Sequence, residues 1–134
     1  MLCGINPITH WQKDDPVYTL EPYYMAGDVY SAKGFVGRGG WSLYTGSAGW
    51  YLVALLYGLL GYVEDELGFS LSPRLCKDFS AFCLTVQKRE TVYHLEVSQG
   101  EKEQILLDGK PHKNRFFFDK REHTVKMVLQ KGKK

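Results

Sequence analysis

The segment from Gly37 to Trp50, GRGGWSLYTGSAGW, gathers residue types that could hold an oxyanion and a sugar side by side. Thr45-Gly46-Ser47 stands directly before an apolar run of helical length. A helix start leaves backbone N–H groups unpaired at the positive end of the helix dipole, so a small, hydroxyl-bearing, glycine-containing start suits a phosphate. Arg38 adds a planar cationic fork, and Trp41, Tyr44 and Trp50 add flat rings that suit the apolar faces of pyranoses. Phosphate and sugar together mean glycosyl chemistry. The same residues have a purely structural reading, because glycines let backbones approach closely and Ser, Thr and Gly cap helix starts. Spacing alone favours the cap. A nucleotide-binding P-loop does not fit, since no Gly-Lys-Ser/Thr follows at the required distance, and a GxGxxG after a strand is absent too.

The elements that must position these residues change character along the chain. From Met1 to about Asp65, loop signals at Asn6-Pro7, Asp14-Asp15-Pro16 and Gly34 to Gly40 alternate with apolar blocks. The clearest block, Ser47 to Tyr62, is apolar nearly all round, which predicts a helix buried on every side. Gly61 is placed to end it in the left-handed conformation, with Glu64-Asp65-Glu66 in solvent beyond. From Leu67 the period becomes two. Phe69 and Leu71, then Phe82, Leu84 and Val86, then Tyr93, Leu95 and Val97, then Val125, Met127 and Leu129 alternate with polar neighbours, as strands with one buried face do. Asp108-Gly109 reads as a tight turn after the strand Gln104 to Leu107. The fold class is therefore α+β, divided into residues 1–66 and a β-sandwich region at 67–134. A helix apolar on all faces needs helical neighbours that the loop-rich first part does not supply, so the chain reads as part of a larger unit.

Composition narrows the classes of function. The 134 residues are 44% hydrophobic and 24% charged, the balance of a soluble globular protein. A net charge of +2 is too small to argue for nucleic acid, and Lys131, Lys133 and Lys134 read as a solvated tail. The three cysteines, Cys3, Cys76 and Cys83, cannot all pair with one another and lack the close spacing of a zinc or redox site. They read as reduced, structural thiols of a cytoplasmic protein. The apolar run Trp50 to Leu60 is far short of the ~20 residues that span a bilayer, and no signal-peptide pattern opens the chain.

The order of the blocks carries a resemblance. Asn6-Pro7-Ile8-Thr9-His10 is followed by Glu21-Pro22-Tyr23, Asp28-Val29-Tyr30-Ser31, Gly37-Arg38-Gly39-Gly40-Trp41 and Tyr44-Thr45-Gly46-Ser47-Ala48-Gly49-Trp50, then Lys77-Asp78-Phe79 and Arg89-Glu90-Thr91-Val92-Tyr93-His94. From about residue 5 to about residue 97 this resembles the C-terminal end of family 94 glycoside hydrolases. That family holds inverting cellobiose, chitobiose and 1,2-β-oligoglucan phosphorylases and a region of cyclic β-1,2-glucan synthases.

The resemblance implies an (α/α)6 barrel carrying the active site, with an antiparallel, jelly-roll-like β-sandwich packed against it; this chain would hold the last barrel helices and most of the sandwich. It implies that Thr45 and Gly46 bind inorganic phosphate, a co-substrate, with no other cofactor and no metal. The implied reaction is inverting phosphorolysis: a carboxylic acid protonates the glycosidic oxygen while phosphate attacks the anomeric carbon from the opposite face. The family's acid lies upstream of these motifs, so no carboxylate of this chain is assigned as catalytic. Arg38, Glu21, Asp28 and Trp41 are candidates for substrate contact, each with a structural hydrogen bond, ion pair or packing role as the alternative. His10 reads as a loop anchor. Where some phosphorylases carry a phosphate-binding glutamine, this chain has Tyr24-Met25-Ala26-Gly27-Asp28, and that stretch is closer to the glucan synthase and 1,2-β-oligoglucan type. Phe79 stands where the family usually has tryptophan, a difference of sandwich packing. The expected partners are a β-linked glucosyl oligosaccharide, β-1,2-glucan first, and a second copy of the intact protein, with neither nucleic acid nor membrane. The alternative from another class is a β-sandwich module that binds carbohydrate without chemistry, and a third is a remnant that does not fold.

Overall fold

The structure is a computed structural model that describes residues 5–14, 16–76 and 79–130. Cys3, Asp15, Lys77-Asp78 and the lysines at 131–134 lie outside the described residues. The chain divides into two compact units, Met1–Leu55 and Leu56–Lys134.

The first unit is loop-rich. Asn6 caps helix α1 (Pro7–Gln12), its side chain accepting from the Ile8 amide at 2.9 Å, and Pro7 occupies the first turn, where a missing N–H costs nothing. Strands β1 (Asp28–Val29) and β2 (Gly39–Gly40) form a two-residue antiparallel pair, Asp28 opposite Gly40 and Val29 opposite Gly39. The Gly39 amide also donates to the Tyr18 carbonyl at 2.9 Å. Tyr18 is the buried aromatic of this unit, and its ring lies flat on His10 with centroids 3.9 Å apart, so His10 is an anchor of the loop. Helix α2 (Thr45–Val53) follows, and Ala54–Leu59 continues it with the wider π-helical hydrogen-bond spacing.

The expected full burial of the Ser47 to Tyr62 helix is corrected by the structure. Trp50 is 75% exposed, Leu52 56% and Tyr57 62%. The physical reason is local: α1 has only six residues, and the described residues of the first unit include no other helix long enough to cover an all-round apolar surface. The helix does end where glycine was expected to end it. Gly61 sits at φ 57°, the Tyr62 amide turns back to the Leu56 carbonyl at 2.9 Å, and a Cβ on Gly61 would overlap the Ser72 backbone.

The second unit is built from sheets. Strands β3 (Val63–Glu64), β4 (Gly68–Ser70) and β9 (Phe116–Phe117) form a three-stranded antiparallel sheet. Strands β5 (Ala81–Lys88), β6 (Thr91–Gly100), β7 (Gln104–Leu107), β8 (Lys110–Pro111) and β10 (Glu122–Gln130) form a five-stranded sheet in the order β5-β6-β10-β7-β8. Period two is realised in the core: Tyr93, Leu95 and Val97 of β6 lie beside His123, Val125 and Met127 of β10 in direct register, and all point inward. Phe69 and Phe116 of the smaller sheet, and Leu71 just past β4, face them, with the Phe69 ring edge-on to Tyr93 at 5.2 Å. The two sheets thus enclose one sandwich-like core.

Wholly antiparallel pairing is a second corrected expectation, because β6 and β10 run parallel over nine residue pairs. A parallel pair needs a long crossover, and residues 101–121, carrying β7, β8 and β9, supply it. The cysteine expectation also changes: Cys76 and Cys83 are free as expected but exposed, so neither packs in the core.

Candidate functional site

Two adjoining depressions of the first unit share Gly27, Asp28 and Ser47. A cleft of about 590 Å³ is lined mainly by apolar groups, among them Ile5, Met25, Val29, Trp50 and Tyr51. Beside it, an open groove of about 380 Å³ runs between Asp28, Trp41, Tyr44 and Ser47. The β1–β2 pair and the start of α2 build this place. The Gly27 amide donates to the Gly40 carbonyl at 2.9 Å, which fixes the backbone just before Asp28, and the Tyr30 amide donates to the Arg38 carbonyl at 2.9 Å.

The glycines of the loop divide into two kinds. A Cβ on Gly40 would collide with the Asp28 carboxylate and stand 2.7 Å from the Tyr30 hydroxyl, and one on Gly39 would stand 2.7 Å from the Leu20 side chain. Both glycines are buried and are required by close packing, as the structural reading holds. Gly46 is different: a Cβ there would meet open space.

Helix α2 has Tyr44 as its N-cap in extended conformation, with no side-chain hydrogen bond to the first turn. The capping reading therefore finds no capping side chain. The Ser47 hydroxyl points the other way and donates to the Tyr44 carbonyl at 3.4 Å. Thr45 and Gly46 occupy the first two helical positions, where N–H groups have no intrahelical acceptor; the side chain of Thr45 lies outside the described atoms.

Trp41 and Tyr44 are 63% and 59% exposed and meet edge to face, ring centroids 5.8 Å apart. They are held by backbone in the left-handed region at Trp41 (φ 55°) and Leu43 (φ 71°), conformations that cost non-glycine residues about 1–2 kcal/mol each. Two exposed rings, one carboxylate and Ser47 line one open groove beside the uncapped helix start, an arrangement able to lay a sugar ring on aromatic faces and accept hydrogen bonds from its hydroxyls.

The sequence candidates are not all brought together. Asp28 and Trp41 share the groove, with the start of α2 at its side. Glu21 lines a separate hollow of about 110 Å³ with His10, Tyr18 and Pro22. Burial lifts the Tyr18 hydroxyl above the ordinary tyrosine value, and a hydrogen bond with the Ala26 backbone works against that rise. Arg38 is exposed, its guanidinium 5.8 Å from the centre of the Phe35 ring, and it lines neither cleft nor groove. The apolar wall of the cleft, Ile5, Met25 and Val29, escaped sequence reading because single apolar residues in loops carry no period.

Over 100 residues, 73% of the chain, the sequence is 35% identical to the cyclic β-(1,2)-glucan synthase NdvB of Rhizobium meliloti (strain 1021). The chain is thus similar to a small part of a glucan synthase. That match takes in 4% of the synthase's length, and it is longer than either compact unit, so it includes residues of both. No protein-family model matches the chain.

Proposed function

We propose that this chain is part of a carbohydrate-active enzyme that transfers glucosyl units between a β-linked oligosaccharide and inorganic phosphate, with β-1,2-glucan as the first substrate to test. The observation that carries the reading is the uncapped start of α2, with Gly46 facing open space, beside a groove of Asp28, Trp41 and Tyr44. The similarity to a cyclic β-(1,2)-glucan synthase supports it from sequence.

In this reading the N–H groups of Thr45 and Gly46 and the helix dipole hold the phosphate, the nucleophile of an inverting displacement. Trp41 and Tyr44 stack on a sugar ring, and Asp28 accepts hydrogen bonds from its hydroxyls. Phosphate attacks the anomeric carbon, the bond to the glycosidic oxygen breaks, and a carboxylic acid outside these residues gives that oxygen its proton, leaving a sugar 1-phosphate. Residues 1–66 would then close an (α/α)6 barrel completed by other parts of a longer protein, and 67–134 would be its C-terminal sandwich. The exposed apolar side of α2 is consistent with such neighbours. The intact protein would work in the cytoplasm, as a homodimer.

The test is a phosphorolysis assay with inorganic phosphate and β-linked glucosyl di- and oligosaccharides. The 134-residue chain alone releases no sugar 1-phosphate, whereas the protein extended upstream does. In the extended protein, Thr45→Pro, which removes one of those N–H groups at the first helical position, where proline is tolerated, raises the KM for phosphate roughly tenfold or more, the equivalent of about 1.5–3 kcal/mol for a hydrogen bond to a charged group. Failure of the extended protein across the whole panel rules the activity out.

A further inference from the structure

At one end of the five-stranded sheet, His123 bridges two carboxylates. Its Nδ1 is 2.7 Å from Asp108 Oδ2 and its Nε2 is 3.0 Å from Asp119 Oδ1. Asp108 belongs to the β7–β8 turn and Asp119 to the loop between β9 and β10, so one ring ties two connections to the start of β10. Asp108 also accepts from the Thr124 amide at 2.9 Å. The ring is almost fully buried and lies over Tyr93 of β6, centroids 4.9 Å apart and planes 21° from parallel.

The donor count decides the charge state that this geometry suits. An ionised carboxylate only accepts hydrogen bonds, and a neutral imidazole has a single N–H. With a carboxylate on each nitrogen, both contacts are hydrogen bonds only in the doubly protonated imidazolium. Loss of either proton sets a ring lone pair against a carboxylate oxygen in a partly desolvated place. The charged and titratable groups around the ring are Asp108, Asp119, the Tyr93 hydroxyl, which donates to the Phe117 carbonyl at 2.6 Å, and Arg121, whose Nε lies 3.0 Å from Asp119. Arg121 offsets part of the negative charge, and two carboxylates against one neighbouring guanidinium still favour a cation at the ring.

We infer that His123 is a proton-dependent fastener of the sandwich, holding the β7–β8 turn and the β9–β10 loop together while it is an imidazolium and releasing one of them when it is neutral. Burial alone pulls His123 toward the neutral form, but the hydrogen bonds it donates to Asp108 and Asp119 outweigh it and hold the ring's pKa above its ordinary value. A raised folded-state pKa means that the stabilisation is complete below the unfolded value of about 6.5 and fades as pH rises through the folded one.

The experiment is an NMR titration of the histidine ring protons in the full 134-residue chain, with thermal unfolding of the wild type and of His123→Gln across about pH 6 to 9. The expected result is a His123 midpoint above about 6.5, shifted down in Asp119→Asn, and a wild-type Tm advantage over His123→Gln that shrinks toward alkaline pH. Amides of residues 107–110 and 119–121 exchange faster once His123 loses its proton. A His123 midpoint at or below the ordinary value overturns the inference, as does a titration that leaves those amides unchanged. If His123→Gln does not fold, the wild-type titration and Asp119→Asn still decide the question.

Discussion

Glycine carries opposite duties within a few residues of this chain. Gly40 is shaped by what surrounds it: Asp28 and Tyr30 occupy the space that any side chain would need. Gly40→Ala is expected to cost about 1–3 kcal/mol, the range for overpacking a close contact, and urea unfolding followed by tryptophan fluorescence would measure it. Gly46 has open space where a Cβ would stand, so Gly46→Ala should leave stability within about 0.5 kcal/mol or raise it slightly through helix propensity. If Gly46→Ala destabilised as much as Gly40→Ala, the distinction between a packing glycine and one beside open space would fail. Sequence spacing could not separate the two, because both stand in one glycine-rich run and only the neighbours brought in by folding tell them apart.

Among elements, turns show how much chemistry is readable locally. Asp108-Gly109 does form a tight turn between β7 and β8, with both residues at positive φ (50° and 77°), which is what that dipeptide is suited to do. The β5–β6 connection, Arg89-Glu90, adopts the same handedness at φ 50° and 65° with residues that do not favour it. Its residues have other uses: the Arg89 guanidinium donates to the Glu66 carbonyl, and Glu90 pairs with Lys120 at 3.3 Å in solvent. Exposed pairs of that kind contribute only about 0–1 kcal/mol. Glu90→Gly is therefore expected to raise stability by a few tenths to about 1 kcal/mol, seen as a higher Tm in calorimetry, and a lowered Tm would mean that the ion pair outweighs the backbone strain. Helix α2 shows the limit of local reading in another way. Its position and its glycine stop follow from the sequence, whereas its change to π-helical spacing at Ala54–Leu59 and its exposed apolar side depend on which surfaces pack on it.

For the molecule as a whole, stability rests on the core of the second unit and on charges at its rim. Phe69 is fully buried and touches Tyr62, Tyr93, Phe116 and Phe118, so Phe69→Ala should cost about 3–5 kcal/mol and lower the unfolding midpoint of the sandwich. Several carboxylates are held below their ordinary range: Asp65 by the two hydrogen bonds of Arg115, each 2.6 Å, Asp108 and Asp119 by His123, and Glu64 by Lys88 and then Tyr62. Lowered folded-state values give stability that is present above the unfolded pKa values, 3.8 for Asp and 4.5 for Glu, and that is lost as pH falls through the folded ones. Thermal unfolding should accordingly show Tm dropping below about pH 4, with a shallower drop in Arg115→Gln; an unchanged slope would show that Asp65 is not ionised through its partner. Taken by itself, the sequence determined the period-two strands, the apolar helix with its glycine stop, and the polar, aromatic and glycine residues gathered before that helix, because each follows from neighbours a few positions away. Only the tertiary structure decided that β6 and β10 run parallel, that Asp28 and Trp41 share a groove while Glu21 and Arg38 stand apart from it, and that His123 reaches two carboxylates. Those outcomes depend on contacts between residues far apart in the chain, which no local pattern of size, charge or polarity specifies.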